Sequence, residues 1–185
     1  MKNYSRHQTA VHDFTFIPIS PAIQNINSAM MYPGTGLLEG LMVNEGRGTN
    51  KPFEQFGAPW IREKELCDSL LAGLKHIDIT PIQYTSGSGV YANELCKGVS
   101  LFINKPDTFK AVSTGIVILL TLIKLFPKEI NERLYITNAN PVGERHLDKL
   151  LGYENALARL KQEYLPEIDV TESWQQIIQP YLLYS

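Results

Sequence analysis

The polar side chains that could carry chemistry crowd into one glycine-rich stretch: Glu39, Glu45, Arg47, Thr49 and Glu54, with Trp60 just beyond. Three carboxylates and one guanidinium within sixteen residues can form a sugar site. In such a site the acids accept hydrogen bonds from hydroxyls and the arginine clamps a carboxylate. Gly34, Gly36, Gly40, Gly46 and Gly48 would let the backbone come close to such a ligand. The competing reading is structural, with Arg47 paired to Glu45 or Glu54 to hold a loop together. Standard signatures are missing: Gly34-Thr35-Gly36 lacks the third glycine of a dinucleotide loop, Gly87-Ser88-Gly89 is no nucleophile elbow, and no Gly-Lys-Ser/Thr occurs. His7, His12, His76 and His146 never pair at metal spacing and read as surface or capping residues, while Cys67 and Cys96 form no CxxC or Cys/His cluster. No metal and no cofactor is expected.

These residues need elements to hold them, and the chain divides into a loop-rich first half and a helical second half. Ser20-Pro21 is a helix start, and Ile23, Ile26 and Met30 give a stripe that should stop before Pro33. Leu37-Leu38 and Leu41-Met42-Val43 are short strand candidates. Cys67, Leu70, Leu71 and Leu74 fall at i, i+3, i+4, i+7, one apolar face of a helix over 62–74, which makes Cys67 a core thiol. Ile77, Ile79, Ile82 and Tyr84, then Val99, Leu101 and Ile103, alternate as strands joined through the turn at 85–89. Asp107 is placed to cap a buried helix that ends at Pro127. Two short helices follow, around His146–Leu151 and Tyr153–Glu163, and Asp169 with Glu172 has capping-box spacing before Trp174, Ile177 and Ile178. Strands beside segregated helices make the class α+β: one domain, a small mixed or antiparallel sheet, several packed helices and a glycine-rich loop region. Residues 1–19 read as an N-terminal arm or interdomain connection and 20–185 as the domain.

Composition narrows the function classes. The 185 residues carry 17 Lys+Arg against 19 Asp+Glu and are 44% hydrophobic, the reverse of a disordered signature. With a sequence pI near 6.1 there is no excess cation to replace counterions on phosphates, so nucleic acid is not an expected partner. Ala111 to Ile123 is uncharged for 13 residues, well short of a bilayer span. Residues 1–15 hold no apolar run of signal-peptide length.

Order and spacing make one resemblance specific. Tyr32-Pro-Gly-Thr-Gly-Leu-Leu-Glu39-Gly40, Asn44-Glu-Gly-Arg47-Gly-Thr49, Pro52-Phe-Glu54 and Gly57-Ala-Pro-Trp60-Ile together resemble the second half of the bacterial exo-β-N-acetylmuramidase family, formerly a domain of unknown function. Cys96-Lys-Gly98-Val99, Asp148-Lys-Leu-Leu-Gly152 and Tyr181-Leu-Leu-Tyr184 carry it from about Ser20 to the end. The resemblance implies a glycosidase that releases terminal N-acetylmuramic acid from peptidoglycan fragments, in the periplasm or outside the cell. It also implies a preceding Rossmann-like domain that bears the catalytic glutamate, with the active site in the cleft between the two.

The partners implied are therefore peptidoglycan fragments or muropeptide sugars and that Rossmann-like domain, in cis or as a separate chain. The substrate-binding candidates remain Glu39, Glu45, Arg47, Thr49, Glu54 and Trp60. This chain alone is not expected to turn over, because a glycosidase needs an acid and a second carboxylate or equivalent flanking one bond. A non-catalytic carbohydrate-binding or scaffold module is the alternative. Departures from the family pattern lie at Leu41, at Asn44-Glu45 and at Thr80, Val90 and Ile178, where the family commonly has basic residues in the last three. A face that met a partner should be apolar; Tyr32, Phe53, Phe56 and Trp60 are candidates for it, with Phe53 and Phe56 favoured as ordinary core.

Overall fold

Alternation of Ile77 with Ile79 and of Val99, Leu101 and Ile103 marks the two strands of the central hairpin. In the computed structural model, which describes residues 15–163 and 176–182, β2 (Ile77–Thr85) pairs antiparallel with β3 (Leu95–Ile103), Ile77 opposite Ile103 and Thr85 opposite Leu95. Ile77, Ile79, Val99, Leu101 and Ile103 are buried, while Thr80 and Phe102 face outward. A third strand, β1 (Gln55–Ala58), pairs antiparallel with β3 on its other side, giving the order β1-β3-β2. Pro81 is tolerated because β2 lies at the sheet edge. β1 escapes sequence reading because all four of its residues are buried and show no alternation.

Helices cover the buried face. α2 (Glu63–Gly73) turns Leu66, Cys67 and Leu70 into the core, and Cys67 is a core thiol as the stripe requires. Leu71, expected on that face, is 42% exposed. α3 (Ala111–Leu125) is the most apolar helix, with Ile116, Ile118, Leu119, Leu122 and Ile123 buried, and it ends as expected just before Pro127. No helix among the described residues is long and apolar enough to cross a membrane. α4 (His146–Leu151) and α5 (Ala156–Lys161) lie where the two short helices were expected. The fold is α+β, one domain with a small antiparallel sheet and several packed helices.

Several expectations give way to tertiary packing. α1 runs Ile26–Thr35, so Ser20-Pro21 forms a turn outside it and Asn25 is the cap; Ser28 and Asn25 exchange capping-box hydrogen bonds. Pro33 sits inside the last turn rather than ending it. The helix continues because Gly34 packs on Gly115 of α3: a Cβ on Gly115 would lie 2.4 Å from the Gly34 carbonyl oxygen, and one on Gly34 would lie 2.1 Å from that of Ala111. Leu37-Leu38 are not a strand but part of a 3-10 turn, Gly36–Gly40, that prolongs α1. Leu41 makes a single bridge to Glu132. Asp107 caps nothing in α3; it belongs to a separate short turn, Pro106–Thr108, and Lys110 precedes the helix without a side-chain cap. Most of the arm expected at 1–19, and the Asp169–Glu172 cap with Trp174, lie outside the described residues. Pro180 sits in a 3-10 turn, Gln179–Tyr181.

Candidate functional site

Two short connections present the site. The 3-10 turn after α1 delivers Glu39, and the chain then reaches Asn44, which bridges Gly57 of β1 through paired backbone hydrogen bonds of 2.8 and 2.9 Å. Asn44 is fully buried. Its Oδ1 accepts from the Gly46 N–H at 2.9 Å and from the Tyr84 hydroxyl at 2.9 Å, which fixes the start of the loop that carries Glu45 and Arg47. Gly46 has φ +81°, and a Cβ there would stand 2.5 Å from the Lys51 carbonyl oxygen, so the loop requires glycine for its own path. Thr49 closes the same turn, donating to the Gly46 carbonyl at 2.7 Å and accepting from Gln55 Nε2 at 3.2 Å.

On this scaffold Glu39, Glu45 and Arg47 come together. Arg47 Nη2 and Nε donate to Glu39 Oε1 at 2.6 and 3.0 Å, and Nε lies 3.2 Å from Glu45 Oε1. The Glu45 contact has ion-pair distance without hydrogen-bond geometry, and Glu45 Oε1 is buried with no hydrogen-bond partner among the described residues. Glu45 Oε2 instead takes Arg133 Nη1 at 3.3 Å. The Arg133 guanidinium lies over the Tyr135 ring at 4.6 Å. The Tyr135 hydroxyl donates to Glu39 Oε1 at 3.3 Å, and the ring stacks on His146 at 4.4 Å between centroids. Arg47 also lies 4.9 Å above the Phe53 ring.

Burial sets the electrostatics. Desolvation pushes the Glu45 carboxyl up, and the charge of Arg133 only partly opposes it. Burial works against the Arg47 charge as well, but the hydrogen bond and charge of Glu39 outweigh it and hold the guanidinium protonated. Burial raises the Tyr135 hydroxyl, with Glu39 adding to the effect. It lowers His146, both of whose ring nitrogens are buried without a hydrogen-bond partner among the described residues. Two carboxylates thus face two arginines in a charge-balanced group, and Arg47 keeps 36% of its side chain exposed.

The other candidates lie elsewhere. Glu54 does not touch Arg47; its carboxylate accepts from Asn25 Nδ2 and Asn27 Nδ2, both at 2.7 Å, and so ties the start of α1 to the sheet. Thr49 is used within its own turn. Trp60 donates from Nε1 to the Tyr91 hydroxyl at 2.9 Å and packs edge-on against Phe126. Arg133 and Tyr135 were not singled out by sequence, and His146, read there as a surface or capping residue, joins the site instead. A signal for the first two exists: Arg133 and Tyr135 alternate with Leu134 and Ile136, an extended segment whose polar members point inward. His76 pairs its Nδ1 with the Thr108 hydroxyl at 2.9 Å, and His7 and His12 lie outside the described residues. Among the described residues no group of three His, Cys, Asp or Glu side chains is placed to hold a metal.

Comparison with known proteins agrees with the motif reading. Residues 30–184 match the family described as exo-beta-N-acetylmuramidase NamZ, C-terminal. The chain is 32% identical over 168 residues to the peptidoglycan beta-N-acetylmuramidase NamZ of Bacillus subtilis, covering 90% of this chain and 38% of that protein. Two DUF1343 family proteins of known structure from Bacteroides fragilis share the fold. One, at TM-score 0.68 and 22% identity, aligns with 92% of this chain and 45% of its own; the other, at 0.57 and 21%, aligns with 100% and 47%. The chain therefore spans less than half the length of each of these relatives. By the family match over most of its length, the chain belongs to the NamZ C-terminal family of peptidoglycan exo-β-N-acetylmuramidases.

Proposed function

We propose that this domain is the substrate-positioning half of a peptidoglycan exo-β-N-acetylmuramidase, binding terminal N-acetylmuramic acid at a cleft completed by a Rossmann-like domain that supplies the catalytic acid. The observation that carries the reading is how Arg47 is held. Glu39 Oε1 takes the side of the guanidinium formed by Nε and Nη2, while Nη1 has no hydrogen-bond partner among the described residues and Arg47 keeps 36% of its side chain exposed. Its Nη1/Nη2 end can therefore grip a ligand carboxylate with two parallel hydrogen bonds. N-acetylmuramic acid differs from N-acetylglucosamine by a lactyl ether whose carboxylate is ionised at neutral pH. A cation fixed in direction by a buried acid is what discrimination between the two sugars needs.

The test is a pair of affinities and a melting curve on Arg47→Ala. Loss of a hydrogen bond to a charged group should weaken N-acetylmuramic acid by about 1.5–3 kcal/mol and leave N-acetylglucosamine nearly unchanged. Equal losses for the two sugars, together with a lowered melting temperature, would make Arg47 a brace and sink the assignment.

A further inference from the structure

Soluble proteins turn extended segments apolar side inward. Residues 133–136 do the reverse. Arg133, with 14% of its side chain exposed, and Tyr135 point into the site, while Leu134 and Ile136 are 69% and 73% exposed. Val142 joins them at 65%. The Tyr135 N–H donates to the Gly143 carbonyl at 2.8 Å and Thr137 bridges Asn140, so Ile136 and Val142 lie on the two facing arms of one loop. A Cβ on Gly143 would lie 2.9 Å from Ile136 Cγ1, so the two strands of this loop are in contact. The loop is also held rigidly. Thr137 and Asn140 exchange backbone hydrogen bonds, and Asn140, only 4% exposed, donates from Nδ2 to the Tyr135 and Glu144 carbonyls and accepts from Lys149 Nζ at 2.5 Å. A preformed apolar face carries less ordering cost on association than a flexible one.

Of the four aromatic candidates for a partner face, Phe53 and Phe56 are core, as the sequence reading favoured. Phe53 and Phe56 are 1% and 0% exposed, Trp60 packs on Phe126, and of the four only Tyr32, at 42%, is open. We propose that Leu134, Ile136 and Val142 form the docking surface for the N-terminal part of the family's longer chains, the part outside the matched C-terminal stretch. The occupant follows from two observations. This chain covers 38% of the Bacillus subtilis relative and 45% of one solved structure, and the family model it matches is that of the C-terminal part. The apolar face is also the outer side of the segment whose inner side holds Glu39 and Glu45, so whatever covers it comes to lie at the edge of the site. The inference rests on the proposed shared cleft and names where its second wall attaches. Interfaces between domains of one chain bury roughly 600–1,500 Å², so these three residues are the apolar centre of a larger contact.

The experiment titrates the 185-residue chain with the purified N-terminal portion of the Bacillus subtilis relative, by calorimetry and without sugar. The expected result is binding that weakens by at least about tenfold in the double variant Ile136→Asp, Val142→Asp, as central interface residues do. The variant's own melting temperature should be unchanged, since both side chains are exposed. Absence of binding, or equal binding by the variant, overturns the proposal. So does a concentration-dependent dimer of the chain that the variant abolishes, because the occupant would then be a second copy. N-acetylmuramic acid affinity measured on the same samples separates the two readings: docking can fail with Arg47 still discriminating the sugars, or succeed without it.

Discussion

Glu45 is the side chain on which the site's electrostatics turn. It is fully buried, between Arg47 and Arg133, and Glu45→Ala would leave Arg133 in a largely buried setting without a carboxylate. Removing one partner of a buried pair should cost about 3 kcal/mol, read as a shifted denaturation midpoint. The raised Glu45 pKa has a signed consequence. The folded chain holds this proton more tightly than the unfolded chain, so stability falls as pH rises from 4.5 through the folded value. Glu45→Gln should flatten that limb, and an unchanged pH profile would assign it elsewhere. His146 has the opposite sign. Its folded pKa is lowered, so the folded chain protonates less readily and stability is lost as pH drops below 6.5. Tyr135, Glu39, Lys149 and Arg133 are the groups around it. His146→Phe keeps the stack on Tyr135 and removes two buried nitrogens without partners. The melting temperature at pH 7 should be equal or higher and the loss below 6.5 smaller; a clear drop at pH 7 would mean the imidazole makes a bond that Phe cannot.

At the scale of elements, α1 positions the site through its far end. Its start is capped by Asn25 and tied to Glu54, while its end passes directly into the turn that bears Glu39. Asn25→Ala should cost about 1–2 kcal/mol, the worth of an N-cap, yet spare sugar binding. Gly115→Ala acts at the other end, where a Cβ would lie 2.4 Å from the Gly34 oxygen and force α1 away from α3. Overpacking of this kind costs typically 1–3 kcal/mol, and here it should also weaken N-acetylmuramic acid by displacing Glu39. Melting curves and sugar affinities on the two variants distinguish these roles. Retained affinity in Gly115→Ala would show that the α1–α3 crossing does not set the site.

Across the whole molecule, the loop 133–144 links the charged site, α4 and the exposed apolar face, and Asn140 is its closure. Asn140→Ala removes the bonds to the Tyr135 and Glu144 carbonyls and to Lys149; the Glu144 carbonyl keeps Lys149 Nζ at 3.0 Å, and each hydrogen bond lost should cost about 0.5–1.5 kcal/mol. Hydrogen exchange should speed up at the Tyr135 and Gly143 amides while β3 stays protected. Uniform loss of protection over the chain would instead make Asn140 part of global stability.

Local periodicity determined much of the architecture: α2 with Cys67 and Leu70 on its buried face, the β2–β3 hairpin, the buried α3 and the two short helices before residue 163. Motif order determined the family, and residue types determined that Glu39, Glu45 and Arg47 were worth watching. Tertiary structure decided which charges meet. Arg133 reaches Glu45 across 88 residues and Tyr135 reaches Glu39 across 96, separations over which no local propensity acts. Glu54, seven residues from Arg47, goes instead to the start of α1, where Asn25 and Asn27 donate to it across 29 and 27 residues. The glycines were visible as a cluster, but their purpose was not. Gly34 serves a helix crossing and Gly46 a left-handed turn, both set by neighbours distant in sequence or by the path the loop must follow.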